Sequence, residues 1–223
     1  MGEGIVAALL GQGATVIVPS RSEQRLQALA DRLVGHTENL IPVVGDVGDA
    51  EGAERVLTEI LARVGHLDGA VASIGGWWQG QPLTEIEPEV WQRILNGSLT
   101  AHWVAARTFL PVLVQGGSYN LIVGFTGETP IAGAGPISIA NAGQLMLKRV
   151  LVEETKTTDV RVNDLLLGPV ITRDEPNGDP GWITAHGVGE AVERLVRPGS
   201  TISGETVRLI TATDLATFLD RTS

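Results

Sequence analysis

The chain contains no cysteine, which excludes disulfides, thiolate metal sites and a thiol nucleophile. Positive charge is scarce: 16 Lys and Arg stand against 26 Asp and Glu, for a net charge of −10. A chain this acidic, with a pI near 4.8, lacks the basic face that nucleic acid requires and is repelled by an anionic membrane surface. No apolar run reaches the ~20 residues of a membrane span. The opening segment MGEGIVAALLGQG has neither the basic residues nor the cleavage site of a secretory leader. Val6 stands where a myristoylation signal needs Ser or Thr. No group of His, Asp and Glu has the spacing of a metal site. These exclusions leave a cytoplasmic protein without nucleic-acid, membrane or metal partners as the expectation.

What is present is a core. In 223 residues, 43% are hydrophobic and 28 are glycine, and the mean hydropathy is +0.16. That suffices for one globular domain, and no repeat or low-complexity linker divides it. Residues 4–12 read as a helix, 15–19 as a strand, and Ser20 with Glu23 as a capping box. A helix through Leu26, Leu29, Ala30 and Leu33, a strand at 41–45, a helix through Val56, Ile60 and Val64, and a strand at 69–73 follow. A long helix is expected over 91–114, a buried strand at 119–123, and a helix opening at Pro136. Strands near 160–167 and at 206–210 flank a last helix starting about Thr184. Strands alternating with helices at this spacing predict α/β architecture: a Rossmann-like, doubly wound parallel sheet in three αβα layers.

The stretch GSYNLIVGFTGETPIAGAGPISIANAGQLMLKRVLVEE, residues 117–154, resembles the catalytic segment of the short-chain dehydrogenase/reductase family. In that family a Ser ends the strand and a Tyr-x-x-x-Lys pair lies one turn apart on the helix. The resemblance runs from Gly2 to Ile210 and includes TISGETVRLI near the end. It places Gly124 at the Ser, Ile137 at the Tyr, Asn141 at the Lys and Ser98 at the family's relay Asn, so all four positions are changed. Ile137 transfers no proton, Asn141 carries no charge to lower a neighbour's pKa, and Gly124 offers no oxygen.

The same resemblance implies a nucleotide site. Gly2 aligns with the last glycine of the family's Thr-Gly-x-x-x-Gly-x-Gly turn, so the first strand and the earlier glycines are expected upstream of Met1 and the domain over 1–223 is expected to be N-terminally incomplete. Ser20 and Arg21 occupy the place where an acid would read the 2′-hydroxyl of NAD. A hydroxyl and a guanidinium suit a 2′-phosphate, which implies NADP; the alternative is that Ser20 caps a helix and Arg21 is solvated. Asp46 and Val47 resemble the adenine-contacting pair, or Asp46 caps a turn. Gly75 is the one match to the family's Asn-Asn-Ala-Gly. Val170 and Thr172 keep the places that hold the nicotinamide amide, and Asn141 is able to bond the ribose.

Polar substitutes near the cleft are Thr126, in the loop after the strand, and Asn141; Ser138 points about 100° away from Ile137 around the helix. His102 lines the pocket or packs at a subunit contact; His36, His66 and His186 read as surface. Trp77 and Trp78 either clamp a flat ligand, cover a subunit contact, or pack as a loop. Residues 173–182 correspond to a substrate lid whose acids disfavour an anionic substrate. The helices around Trp91 and Pro136 build a dimer contact in the resembling family, which implies a homodimer or homotetramer. Three functions stand: an NADP-dependent oxidoreductase with an unorthodox proton supply, an inert nucleotide- or partner-binding relative, and a non-redox enzyme on the same scaffold.

Overall fold

The computed structural model describes residues 1–33, 35 and 37–222; His36 lies outside them. Helix α1 (Gly2–Gly11) leads to strand β1 (Val16–Ser20), helix α2 (Glu23–Arg32), strand β2 (Leu40–Val44), helix α3 (Ala50–Val64) and strand β3 (Leu67–Ala72). Then come α4 (Pro88–Leu95), α5 (Ala101–Phe109), β4 (Leu113–Gly124), α6 (Gly135–Glu154) and β5 (Arg161–Leu167). The chain ends through the short strands β6 (Val170–Ile171) and β7 (Ile183–Thr184), helix α7 (Ala185–Val196), strand β8 (Thr206–Leu209) and helix α8 (Ala212–Arg221). All the pairings between these strands are parallel.

Side-chain alternation along the central strands builds two core layers. Tyr119, Leu121 and Val123 of β4, with Val162 and Leu166 of β5, meet Val56 and Ile60 of α3, Ala105 and Phe109 of α5 and Leu145 of α6. The intervening Ile122, Leu165 and Leu167 face the other way, onto Val188, Val192 and Leu195 of α7, Phe218 of α8 and Ile5 of α1. Each fully buried Leu or Val here contributes about 1.5–3 kcal/mol of transfer free energy. The strands therefore read as apolar runs because both of their faces are covered.

Apart from the short β6-β7 pair, the strands of the described residues form a sheet in two parts. β2 pairs with β1, and β3-β4-β5-β8 form a second ladder, with no ladder joining β1 to β3. The break falls between β1 and β3, the two strands that the family resemblance sets on either side of the strand expected upstream of Met1. Helix α1 spans both parts: Ile5 packs with the four-stranded side, and Val6 and Leu10 pack with Val16, Leu29 and Leu40. It also lies tight against α7. A Cβ on Gly189 would sit 2.3 Å from the carbonyl oxygen of Gly4, and one on Gly4 would sit 1.9 Å from that of Ala185. Only bare backbone allows that approach.

Several local expectations shift. Ser20 closes β1 opposite Val44, so the cap of α2 moves to Ser22, whose hydroxyl accepts from Arg25 N; the capping box expected at Ser20 and Glu23 does not form. A capping box forms instead at Thr211 and Asp214, opening α8, a helix without a counterpart in the sequence reading. The long helix expected to reach residue 114 ends at Phe109, because Pro111 cannot continue it and Leu113 already pairs with Leu67 in the sheet. Within it, Asn96–Thr100 form a π turn. The extra residue of such a turn re-aims side chains and recurs at functional sites; here it carries Ser98, which is buried. No described helix is long and apolar enough to cross a membrane.

Candidate active-site cleft

The carboxyl ends of β3, β4 and β5 open onto a cleft of about 610 Å³. Open α/β sheets bind ligands at this edge. Its walls include Ser73 and Gly75 after β3, Ile122 to Thr126 at the end of β4, Ile137, Asn141 and Gln144 of α6, and Leu167 to Val170 after β5. Ser98, Gly124, Ile137 and Asn141, the four residues that the sequence resemblance sets at the family's tetrad, line it together. The register explains why: β4 ends at Gly124, paired with Leu167 of β5, and α6 returns over that end with Pro136 in its first turn.

The centre of the cleft is neutral. An added Cβ on Gly124 would lie 2.6 Å from Asn141 Nδ2, so the Asn141 carboxamide fills the room a side chain at 124 would need. Asn141 Nδ2 donates to Thr126 Oγ1 at 2.8 Å. Gly75 adopts a φ of +96°, and a Cβ there would meet Ser98 Oγ at 3.0 Å; both the left-handed backbone and the close approach require glycine. Among the described residues, Glu175 is the one ionisable side chain on the lining, which the N-terminal residue Met1 also joins. The chain's one tyrosine, Tyr119, sits in β4 between Ala70 and Val162, away from the cleft. Burial pushes its phenol pKa up, so it delivers no proton here.

His102 lies beneath the floor and is fully buried; it neither lines the cleft nor reaches a subunit surface. Its Nδ1 is 2.9 Å from the Ser98 carbonyl oxygen and its Nε2 is 3.3 Å from that of Ala72. Gln144 Nε2 lies 3.1 Å from the same Nδ1. Burial lowers the His102 pKa, with the carbonyls of Ser98, Ala72 and Ile122 opposing. Gln144 is absent from the sequence reading; the signal was its spacing, three residues after Asn141 on one helix face. The Ser138 hydroxyl is enclosed and does not line the cleft. Trp77 and Trp78 separate: Trp77 is 59% exposed on the cleft wall, whereas Trp78 packs with Ile94, Ala134, Ile137 and Ala140. The wall is completed by Trp182 and Glu175, from the segment between β6 and β7.

Of the other residues assigned to a nucleotide, Val170 lines this cleft and Gly2, Ser20, Arg21, Asp46, Val47 and Thr172 do not. Gly2 begins α1, which has no side-chain cap at Met1, and Met1 itself lines the cleft. An uncapped helix N-terminus suits a diphosphate. At the end of β1, Ser20 Oγ accepts from Ser22 N at 3.2 Å. Arg21 is 77% exposed and 3.7 Å from Asp46, a pair too exposed and long to hold the guanidinium firmly. Asp46 Oδ1 accepts from Gly48 N at 2.8 Å, as a turn cap does. Val47 packs against the larger core. Val170 lines the cleft, but Thr172 forms a bridge with Glu175. His66 and His186 are exposed at element ends, beside Asp68 and Glu190. Among the described residues no cluster could hold a metal ion.

A family model described as Enoyl-(Acyl carrier protein) reductase matches residues 1–201. The chain belongs to the short-chain dehydrogenase/reductase family. It is 28% identical over 177 residues to Dehydrogenase/reductase SDR family member 4 of Mus musculus, over 78% of this chain and 63% of that protein. It is 24% identical over 174 residues to Uncharacterized oxidoreductase YvrD of Bacillus subtilis, over 77% of this chain and 65% of that one. The chain therefore matches less than two thirds of the length of either relative. Among solved structures, the fold matches a short-chain dehydrogenase/reductase from Serratia marcescens with a TM-score of 0.84 at 20% identity, covering 93% of this chain and 90% of that one. NADP-bound ElxO matches with a TM-score of 0.85 at 16% identity, covering 93% and 92%. These likenesses establish the Rossmann-like fold.

Proposed function

We propose that this chain is an NADP(H)-dependent oxidoreductase that acts on an activated C=C, as in an enone, or on an imine, and not on an isolated ketone. The supporting observation is a cleft with apolar walls whose central polar groups, Ser98, Thr126, Asn141 and Gln144, are all uncharged. In this reading the α1 N-terminus at Gly2 holds the diphosphate, Ser20 and Arg21 the 2′-phosphate, and Asp46 and Val47 the adenine. Gly75 lets backbone approach the nucleotide, Asn141 takes the ribose, and Val170 and Thr172 take the nicotinamide amide. The exposed Arg21, the uncapped helix and the bare backbone at Gly75 suit that donor set. The nucleotide, when bound, supplies a hydride. An isolated ketone also requires an acid at its oxygen, which Ile137 does not provide. A conjugated carbonyl needs only that its oxygen be held while solvent protonates carbon.

Trp103, Ile139, Met146 and Val150 form exposed apolar positions on α5 and α6, and we assign them to a homodimer contact, within a dimer or tetramer in the cytoplasm. The function is tested by titrating NADPH fluorescence, then following NADPH consumption with 2-cyclohexen-1-one and with cyclohexanone. Binding with consumption by the enone alone is expected. Failure to bind NADPH, or equal turnover of the ketone, overturns the assignment. Binding without consumption by either compound favours an inert nucleotide-binding relative.

A further inference from the structure

A hydroxyl has one hydrogen to give and two lone pairs to receive with. At Thr126 one lone pair is taken by Asn141 Nδ2. Among the described residues, Thr126 Oγ1 accepts from Asn141 Nδ2 and has no acceptor for its own hydrogen. Thr126 is buried to 4% exposure and still lines the cleft. Its position is fixed from behind, because Gly127, the next residue, abuts the α6 backbone: a Cβ there would lie 2.9 Å from the carbonyl carbon of Asn141. A buried donor with no acceptor is costly, so the arrangement is complete only when something in the cleft accepts.

The geometry points to Thr126 as the group that holds the ligand, donating its hydroxyl hydrogen to a carbonyl oxygen, with Asn141 as its positioning residue. Asn141 does this by occupying the space beside Gly124 and giving its own N–H to Thr126, which turns the hydroxyl hydrogen toward the cleft. The ligand class is a carbonyl compound: among the described residues Glu175 is the one charged side chain on the lining, and it disfavours a carboxylate. Thr126 is an alcohol, so it polarises and orients the oxygen without protonating it. This inference rests on the functional reading above for the identity of the cleft, but it needs no nucleotide to be tested.

The test is infrared difference spectroscopy of 2-cyclohexen-1-one, labelled with carbon-13 at its carbonyl, bound to the nucleotide-free protein. The carbonyl stretch is expected at lower frequency than in an apolar solvent. Thr126→Val should return it to the apolar position and weaken binding about tenfold, the worth of one buried hydrogen bond. Thr126→Ser should restore both. The inference is overturned if the enone does not bind the unaltered protein, if its stretch there equals the apolar-solvent value, or if Thr126→Val leaves the stretch in place. Because the unaltered protein alone can fail the test, an unfolded Thr126→Val does not rescue the idea. NADPH titration on the same preparations separates the two proposals: loss of nucleotide binding with the shifted stretch intact removes the oxidoreductase reading and leaves Thr126 as the carbonyl-holding group.

Discussion

Gly124→Ala is the sharpest probe of how this cleft is held. The new Cβ would lie 2.6 Å from Asn141 Nδ2, well inside contact distance. The obstacle is the tip of a side chain, so Asn141 can turn away and the steric part of the cost is small. What it loses by turning is its hydrogen bond to Thr126 at 2.8 Å, in a place where Asn141 is 7% exposed. A buried amide left without its partner costs about 1–3 kcal/mol, and we expect Gly124→Ala to destabilise by about 2 kcal/mol. In an Asn141→Ala background the same substitution meets no amide, so its cost should fall to a few tenths, giving a coupling energy of about 1–2 kcal/mol. Urea unfolding of the four proteins of the cycle measures this. An equal cost in both backgrounds would refute the reasoning, because it would mean that Asn141 does not fill the space beside Gly124. Gly168→Ala supplies the contrast: its Cβ would lie 2.2 Å from the carbonyl oxygen of Ile210, which is backbone and cannot turn aside, so a loss of about 3 kcal/mol or more is expected in any background.

Lys148 and Asp164 form a buried pair at 3.7 Å between α6 and β5. Lys148→Met strands the carboxylate and should cost about 3–5 kcal/mol at pH 7. Burial raises the Asp164 pKa, so the folded state binds the extra proton and that cost should shrink as pH falls toward 4; a pH-independent cost would refute this. For His102, burial holds the folded pKa below the unfolded 6.5. The stability it contributes is therefore complete above pH 6.5 and is lost as pH falls through the folded value, with a slope of up to about 1.4 kcal/mol per pH unit. Denaturant midpoints from pH 7.5 to 4.5 should lose that component in His102→Gln, and an unchanged slope would refute it. Met146→Asp, on the exposed face of α6, should shift sedimentation from dimer to monomer; a monomeric parent protein would refute the dimer assignment.

The strands at 119–123 and 161–167 were legible because both their faces are buried, which writes them as apolar runs whatever packs on them. Pro136 and the spacing after it marked α6 for the same kind of local reason. Ser98, Gly124, Ile137 and Asn141 were singled out by the family resemblance, and the fold brings all four to one cleft. Less visible was His102, whose ring is satisfied by carbonyls of Ser98 and Ala72 from other elements. Gln144 was passed over although it follows Asn141 by three residues on α6, because its partner His102 lies on another helix, 42 residues away in the chain. The two tryptophans looked alike in sequence, and only the packing of Trp78 onto α4 and α6 separates them.

By itself the sequence determined the alternation of helices and strands up to Ile210, the net negative charge, and the resemblance to the short-chain dehydrogenase/reductase family. Those properties depend on residue identity and short-range periodicity. Only the tertiary structure decided that Asn141 takes the room beside Gly124, that α1 packs tight against α7, and that Thr126 is buried on the cleft lining with its hydroxyl bonded to Asn141. Each of these depends on backbones far apart in the chain meeting within a few ångströms, and no local pattern of residues encodes that distance.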